Sequence, residues 1–339
     1  TSHFGSRQAE HDRQARALTV CPHRNVRVAA MPLCAGIFHC GGDEGKCNWL
    51  LVREVAAATR CVVFFPGDIS DFASPGAPYT YSLEGLLWVL CCKFPEDTIV
   101  VVRPRMMVGP FAAYANFMFV DATGNPRPLA QLQPTEDGRD VEVVSGQNAA
   151  DDAGFAALRP PRGAVHLQEL LRSLETHSGT TLPERLVLVG FSKGASVLSV
   201  LLKEAGEASV LWTHVNAVHF VDAGLTMPGA SFSVTVDELR AVAAVAHKDF
   251  IVWLHGTPRQ WQDPARPFVA EETGAFAERC RAAGVRVELK QYCETQSRSL
   301  DMHFDCLRCF YTRVDDPEGG EMHCGFFHAW GETATGIET

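Results

Sequence analysis

The sequence predicts an α/β fold, a doubly wound and mostly parallel sheet of the α/β-hydrolase type, from three observations. Short β-branched runs such as Arg60–Phe65, Thr98–Val102 and Leu186–Val189 are apolar at every position, as strands covered on both faces must be. These runs alternate with helix-period segments, which implies parallel strands joined by right-handed crossovers. Gly190-Phe191-Ser192-Lys193-Gly194 stands between one such run and the helix-like segment Ala195 to Lys203, the strand-turn-helix setting that a GxSxG nucleophile elbow requires.

The bulk numbers fit one large globular core. The 339 residues are 46% apolar and 21% charged, ordinary values for a folded chain of this size. A formal charge of −10 without clustered Lys and Arg argues against a nucleic-acid partner. No apolar run approaches the ~20 residues needed to span a bilayer. The longest, Val242 to Leu254, is broken by His247, Lys248 and Asp249. Twelve cysteines without small-scaffold spacing read as reduced thiols, with Cys61, Cys91 and Cys92 as core filler.

Along the chain, residues 1–55 read as an irregular N-terminal extension containing Cys34, Cys40, Cys47 and a turn at Gly41-Gly42. Its arginines at 7, 13, 16, 24 and 27 fit the neighbourhood of a mitochondrial transit segment, diluted by Glu10 and Asp12. The α/β domain is expected over 56–313. Arg60–Phe65 is read as its third strand, Tyr81 to Lys93 as a helix, Thr98–Val102 as a strand and Phe111 to Phe119 as a helix. Residues 121–162, rich in Pro, Gly, Asp and Gln, form an insertion or lid before the strand at Leu186, since so long a structureless loop inside a domain is seldom a plain connection. Strands follow at Val215–Val221, Phe250–Leu254 and Val285–Leu289, separated by helices at Val234–Val245 and Glu271–Ala283, with a last helix through His303. Residues 314–339 read as a tail.

Ser192 is the candidate nucleophile, and its partners are sought in the chain order Ser, acid, His. Asp263, on a Pro-bounded loop after the strand ending at Leu254, is the expected acid, with Asp222 at the end of the preceding strand as the alternative. His303, at the mouth of the final helix, is the expected base, chosen over His219 and His255. A Ser hydroxyl needs such a base to take its proton, and the acid holds the imidazole tautomer. The backbone N–H of Lys193 and the loop Pro66-Gly67-Asp68 are expected to form an oxyanion hole, Gly67 permitting close approach. Cys306, Cys309, His323 and His328 approximate zinc-ligand spacing, but the sequence between them lacks the apolar pattern of a small zinc unit, so neither metal nor cofactor is expected.

Phe64-Phe65-Pro66-Gly67-Asp68, Tyr81-Ser82-Leu83-Glu84, the 103–116 region, the Phe-Ser-Lys elbow, Val221-Asp222-Ala223-Gly224 and Thr257-Pro258 through Asp263-Pro264 together resemble the mitochondrial serine-hydrolase-like family named after open reading frame 69 of human chromosome 2. The resemblance spans roughly residues 60 to 120 and 164 to 310, and His303-Phe304 matches a His-Phe pair of that family. It implies an α/β-hydrolase-like fold and a mitochondrial location, in the matrix, without defining a substrate. The functional expectation is a serine hydrolase cleaving an ester, thioester or amide of a small acyl substrate through an acyl-Ser192 intermediate. The alternative is a catalytically silent subunit or binding module of a mitochondrial assembly, suggested by a charged Lys193 side chain at the pocket mouth.

Overall fold

Strands buried on both faces need helices on both faces, and the chain arranges them so. The computed structural model describes residues 35–127, 161–224, 228 and 232–310. Ten strands, β1 (Ala35–Gly41), β2 (Cys47–Arg53), β3 (Arg60–Phe65), β4 (Thr98–Val102), β5 (Met106–Val108), β6 (Phe111–Ala113), β7 (Arg185–Phe191), β8 (Val215–Val221), β9 (Ile251–Gly256) and β10 (Arg286–Gln291), lie within them. The helices are α1 (Leu83–Lys93), α2 (Gly163–Ser178), α3 (Ala195–Lys203), α4 (Ser209–His214), α5 (Val236–Val245), α6 (Pro258–Trp261), α7 (Phe268–Ala282) and α8 (Leu300–Cys309). Eight strands form one sheet in the order β1-β2-β4-β3-β7-β8-β9-β10, and β5 and β6 pair separately. β2 runs antiparallel to both neighbours, while the pairs from β4 through β10 are parallel. The protein is thus an α/β-hydrolase fold.

Alternation along each strand divides the core between the two faces of the sheet. From β3, Cys61, Val63 and Phe65 enter the cluster shared with α2, α3, α5 and α7. Val62 and Phe64 face the other way, into a cluster with α1 and α8. Phe191, the last residue of β7, belongs to this second cluster and places the following turn above α8.

Two readings of the sequence are corrected. Within the expected irregular extension, residues 35–53 form the antiparallel hairpin β1-β2, which adds two strands to the sheet through β2-β4 pairing. Asp43, Asn48 and the buried His166 of α2 lock this hairpin down: His166 Nδ1 accepts from the Asp43 N–H at 3.0 Å, and its Nε2 meets Asn48 Oδ1 at 2.8 Å. The Phe111–Phe119 segment is the short strand β6 followed by turns, because Gly109 at φ 59° reverses the chain and lets β6 pair with β5. Its aromatic residues still reach the core, where Phe65 meets Tyr114 and Phe117 edge-on. Of the thiols read as filler, Cys61 is buried, Cys91 half-buried and Cys92 exposed. Most of the expected insertion, residues 128–160, lies outside the described residues, as do the transit-like arginines, Cys34 and the 314–339 tail; residues 121–127 form a turn closed by a Val120–Pro126 bridge.

Three buried histidines make stability depend on pH. Burial pushes His166 down to about 4, His219 to about 3, and His255 well below its ordinary value. Each folded-state pKa is lowered, so the unfolded chain binds the extra proton as pH falls below 6.5, and the stability given by the neutral rings is progressively lost. Glu204 acts in the opposite sense: burial raises it to about 7, so the folded chain holds its proton between the usual carboxylate range and pH 7. The net is roughly two protons near pH 5.5, or about 2.7 kcal/mol per pH unit. Urea unfolding followed from pH 7 to 5 should show the midpoint falling steadily, and His166→Gln should flatten that slope by about one proton; a midpoint constant over this range would contradict the assignment.

Candidate active site

The turn after β7 is as tight as the motif demands. Ser192 sits at φ 52°, in the left-handed region that a non-glycine residue enters only at a cost of roughly 1–3 kcal/mol. The surrounding glycines leave no alternative. A Cβ on Gly190 would come within 2.8 Å of the Gly194 carbonyl oxygen, and the Cβ position of Gly194 is occupied by the Phe65 carbonyl. Ser192 and Lys193 make a single 3₁₀ turn that runs into α3, so Ser192 stays partly exposed while Phe191 and Lys193 are buried. Gly67 and Gly224 close on the serine from two sides: their Cβ positions would stand 3.1 and 3.2 Å from its Oγ.

Asp222 follows β8, the strand beside β7, and is itself at φ 43°, a conformation Asp tolerates better than most residues. It is fully buried, and its carboxylate is well supplied with donors. Oδ1 accepts from the Thr257 backbone N–H at 2.8 Å and from its hydroxyl at 3.0 Å. Oδ2 meets His303 Nδ1 at 2.5 Å. The backbone N–H of Asp222 donates to the His255 carbonyl at 2.8 Å, which ties the end of β8 to β9. With Nδ1–H given to Asp222, the neutral His303 carries its lone pair on Nε2.

His303 is positioned by its helix. Ser299 caps α8 by accepting from the Met302 N–H at 3.1 Å. The imidazole is 6% exposed and lies against the Phe191 ring at 4.5 Å between centroids, which brings it beside the residue preceding Ser192. Phe304, wedged between Phe191 and Tyr81, holds the same turn of the helix.

Asp263, the first choice for the acid, is elsewhere. Its carboxylate is bound by Arg266 Nε at 3.0 Å and by Arg298 at 2.8 Å, and the hydrogen bond from Arg266, then that from the Ala265 N–H, holds its pKa down to about 2. The carboxylate that reaches His303 is the alternative, Asp222. Chain order is satisfied by either residue, and the difference lies in the turn after β8, whose positive φ aims Asp222 at α8.

The two other histidines weighed against His303 are packed in the sheet. His219 and His255 stack with Trp253 and are joined by a 3.0 Å contact between Nδ1 and Nε2, continuing to the Tyr292 hydroxyl. The Gly67 backbone, expected to give an oxyanion donor, lies close against Ser192. Asp68 and Lys193 are adjacent there, but the Lys193 side chain is buried against Asp68 rather than lying at a pocket mouth. Of the residues with zinc-like spacing, Cys306 and Cys309 are on α8, and burial raises the Cys306 thiol well above its usual range. His323 and His328 lie outside the described residues, and among the described residues no group of three or more His, Cys, Asp or Glu could hold a metal ion. None of the described helices is long and apolar enough to cross a membrane.

Phe191, Gly224 and Thr257 stand in sequence segments already noted, but no part of their own was read for them: Phe191 lies against His303, Gly224 closes on the Ser192 Oγ, and Thr257 donates to Asp222.

Known proteins resemble this chain to different degrees. The zebrafish mitochondrial protein C2orf69 homolog is 30% identical over 305 residues, covering 80% of this chain and 83% of that protein. The human mitochondrial protein C2orf69 is 25% identical over 282 residues, covering 72% of each chain. Among solved structures, esterase Est22 superposes with a TM-score of 0.47 at 9% identity over 81% of this chain and 75% of that one. Brefeldin A esterase, a bacterial homologue of human hormone-sensitive lipase, gives 0.45 at 12% identity over 85% and 75%. Neither esterase bears on the chemistry of this chain. The family model of C2orf69 matches residues 37–182 and 172–286, a span holding the elbow, the Gly67 loop, Asp222 and Thr257, and the chain belongs to the C2orf69 family.

Proposed function

We propose that the chain is a serine hydrolase that cleaves an ester, thioester or amide through an acyl-Ser192 intermediate. The observation that carries this reading is the buried Asp222–His303 pair at 2.5 Å beside a strained, partly exposed Ser192. The Ser192 Oγ attacks the substrate carbonyl, its proton passing to His303 Nε2, and the imidazolium formed is stabilised by Asp222. The carbonyl oxygen, now an oxyanion, is met by backbone N–H groups of Lys193 and the Gly67–Asp68 loop. His303 then protonates the leaving group, and water, deprotonated by the same imidazole, releases the acid and regenerates Ser192.

In this reading Asp222 replaces Asp263 as the orienting acid, and Thr257 is a positioning residue that keeps the carboxylate aimed. The competing idea of a silent subunit drew on a charge at the pocket mouth, and a Lys193 buried against Asp68 no longer supports it. The substrate class is a small molecule with an activated acyl group. The same proposal places the protein in the mitochondrial matrix, supported by relatives named as mitochondrial and by the arginines that open the chain.

The test is covalent labelling by a fluorophosphonate probe, read by intact mass. Wild type should take one probe per chain and Ser192→Ala none; a folded wild type that takes none would sink the proposal. Asp222→Asn should slow labelling by roughly 10²–10⁴-fold by disturbing the imidazole tautomer, whereas Asp263→Asn should label at the wild-type rate with a small loss of thermal stability. Equal losses in the two variants would contradict the assignment of the acid. Gly67→Ala should label slowly, because the new methyl would stand 2.5 Å from the Ser192 Cβ and push the loop away from the elbow; labelling at the wild-type rate would mean that the loop does not serve the serine.

A further inference from the structure

The residue after the nucleophile carries an ammonium that the proposed chemistry does not use. Lys193 Nζ lies 2.9 Å from Asp68 Oδ1, with the lysine side chain 3% exposed and the aspartate 31%. Nζ also approaches the Thr123 carbonyl at 3.4 Å and stands 5.0 Å from the centre of the Phe111 ring. With its donors directed at protein groups, this ammonium is committed internally and is not presented to a substrate anion.

What it joins is informative. Lys193 belongs to the elbow, and Asp68 belongs to the loop after β3, whose Gly67 packs against Ser192 too closely to admit a Cβ. That loop is held from outside by the β5-β6 hairpin: the Tyr114 hydroxyl donates to the Pro66 carbonyl at 2.7 Å, the Ala112 N–H donates to Asp68 Oδ1 at 2.8 Å, and the Ile69 N–H donates to the Pro110 carbonyl at 2.6 Å. Ile69 is at φ 58°, a poor conformation for a β-branched residue, so the loop does not take its shape from local preference. Beside the close backbone packing of Gly67 on Ser192, the ion pair adds a charged side-chain link between this externally held loop and the elbow.

We propose that Lys193, through Asp68, is a positioning residue that fixes the Gly67–Asp68 loop against the nucleophile elbow and so sets the separation of the two backbone donors. The inference rests on the acyl-serine reading above and adds to it a role for two side chains. A pair whose lysine is withdrawn from water is sensitive to loss of its aspartate, since the buried ammonium is left without its counter-charge. Oxyanion donors act on the transition state more than on bound substrate, so disturbing their spacing lowers the rate of the covalent step and leaves initial binding nearly intact.

The experiment compares wild type, Lys193→Met, Lys193→Arg, Asp68→Asn and the double variant Lys193→Met/Asp68→Asn in two measurements on the full chain. Fluorophosphonate inactivation is resolved into kinact and KI, and hydrogen exchange is followed at the amides of residues 67–69 and 111–113. Each neutralising single change should lower kinact by about tenfold or more, short of the 10²–10³ expected for deleting a donor outright, with KI within about twofold. Lys193→Arg should recover most of the rate, and the double variant should be no slower than the worse single. Exchange should quicken at both segments together. Asp68→Asn carries the test if Lys193→Met does not fold. A kinact in the neutralising variants within twofold of a labelled wild type overturns the inference. A wild type that never labels defeats the acyl-serine reading instead, and exchange then decides: unchanged protection at residues 67–69 overturns the strut, and quickened exchange there upholds it.

Discussion

The absence of room around Ser192 is the constraint on which the rest of this site depends. A strand must become a helix within three residues, and the β3 loop must pass within contact distance of the same turn. Side chains at 67, 190 or 194 would separate these segments, so three glycines are the condition for the elbow to exist. The strained φ of Ser192 follows from this geometry and is held by the packing of β7 between β3 and β8. It leaves the hydroxyl on a rigid turn at the carboxyl end of a central strand, where neighbouring strands can deliver other groups to it.

Electrostatics are arranged by the same strand ends. Asp222, at the end of β8, is removed from water but carries bonds from Thr257 and His303, which satisfy a buried carboxylate as its survival in the interior requires. Asp68, at the end of β3, faces the opposite flank of the serine and is joined to Lys193. Each of these two carboxylates therefore has a nitrogen partner, His303 for Asp222 and Lys193 for Asp68. In the proposed mechanism the Asp222 pair takes up the proton that leaves the serine, and the Asp68 pair keeps its own contacts.

Much of this was legible in the sequence, and the parts that were not share physical causes. β3 and β4 are apolar after their first residue, β7 is apolar from Leu186 to Val189, and β8 is interrupted by Asn216 and His219, and α2, α5 and α7 show a clear helical period, so both kinds of element announce themselves. The β1-β2 hairpin does not: it lies at the edge of the sheet, β1 is only half-buried, and Gly, His, Cys and Asn dilute its alternation. β6 was hidden by apolar residues whose spacing mimics a helix while tertiary contacts with Phe65 decide their placement. Ser192, His303, Gly67 and Lys193 could be named because the elbow motif and the chain order fix them. The acid could not, since Asp222 and Asp263 both follow strands in the permitted order, and what separates them is a positive φ at 222 and a pair of arginines, Arg266 and Arg298, that capture Asp263.

The contacts of Asp263 are the reason the proposed mechanism does not use it. A carboxylate held near pKa 2 by two guanidinium partners has its charge already balanced, and drawing it toward an imidazole would break those bonds. Asp222 has the opposite surroundings. Its partners are the Thr257 backbone amide, the Thr257 hydroxyl and the His303 ring. A buried, preorganised charge of this kind interacts more favourably with the imidazolium than with the imidazole, which is the differential stabilisation that proton removal from Ser192 requires. In the proposed mechanism the acid is therefore Asp222, the carboxylate that faces the histidine and is not held by Arg266 and Arg298.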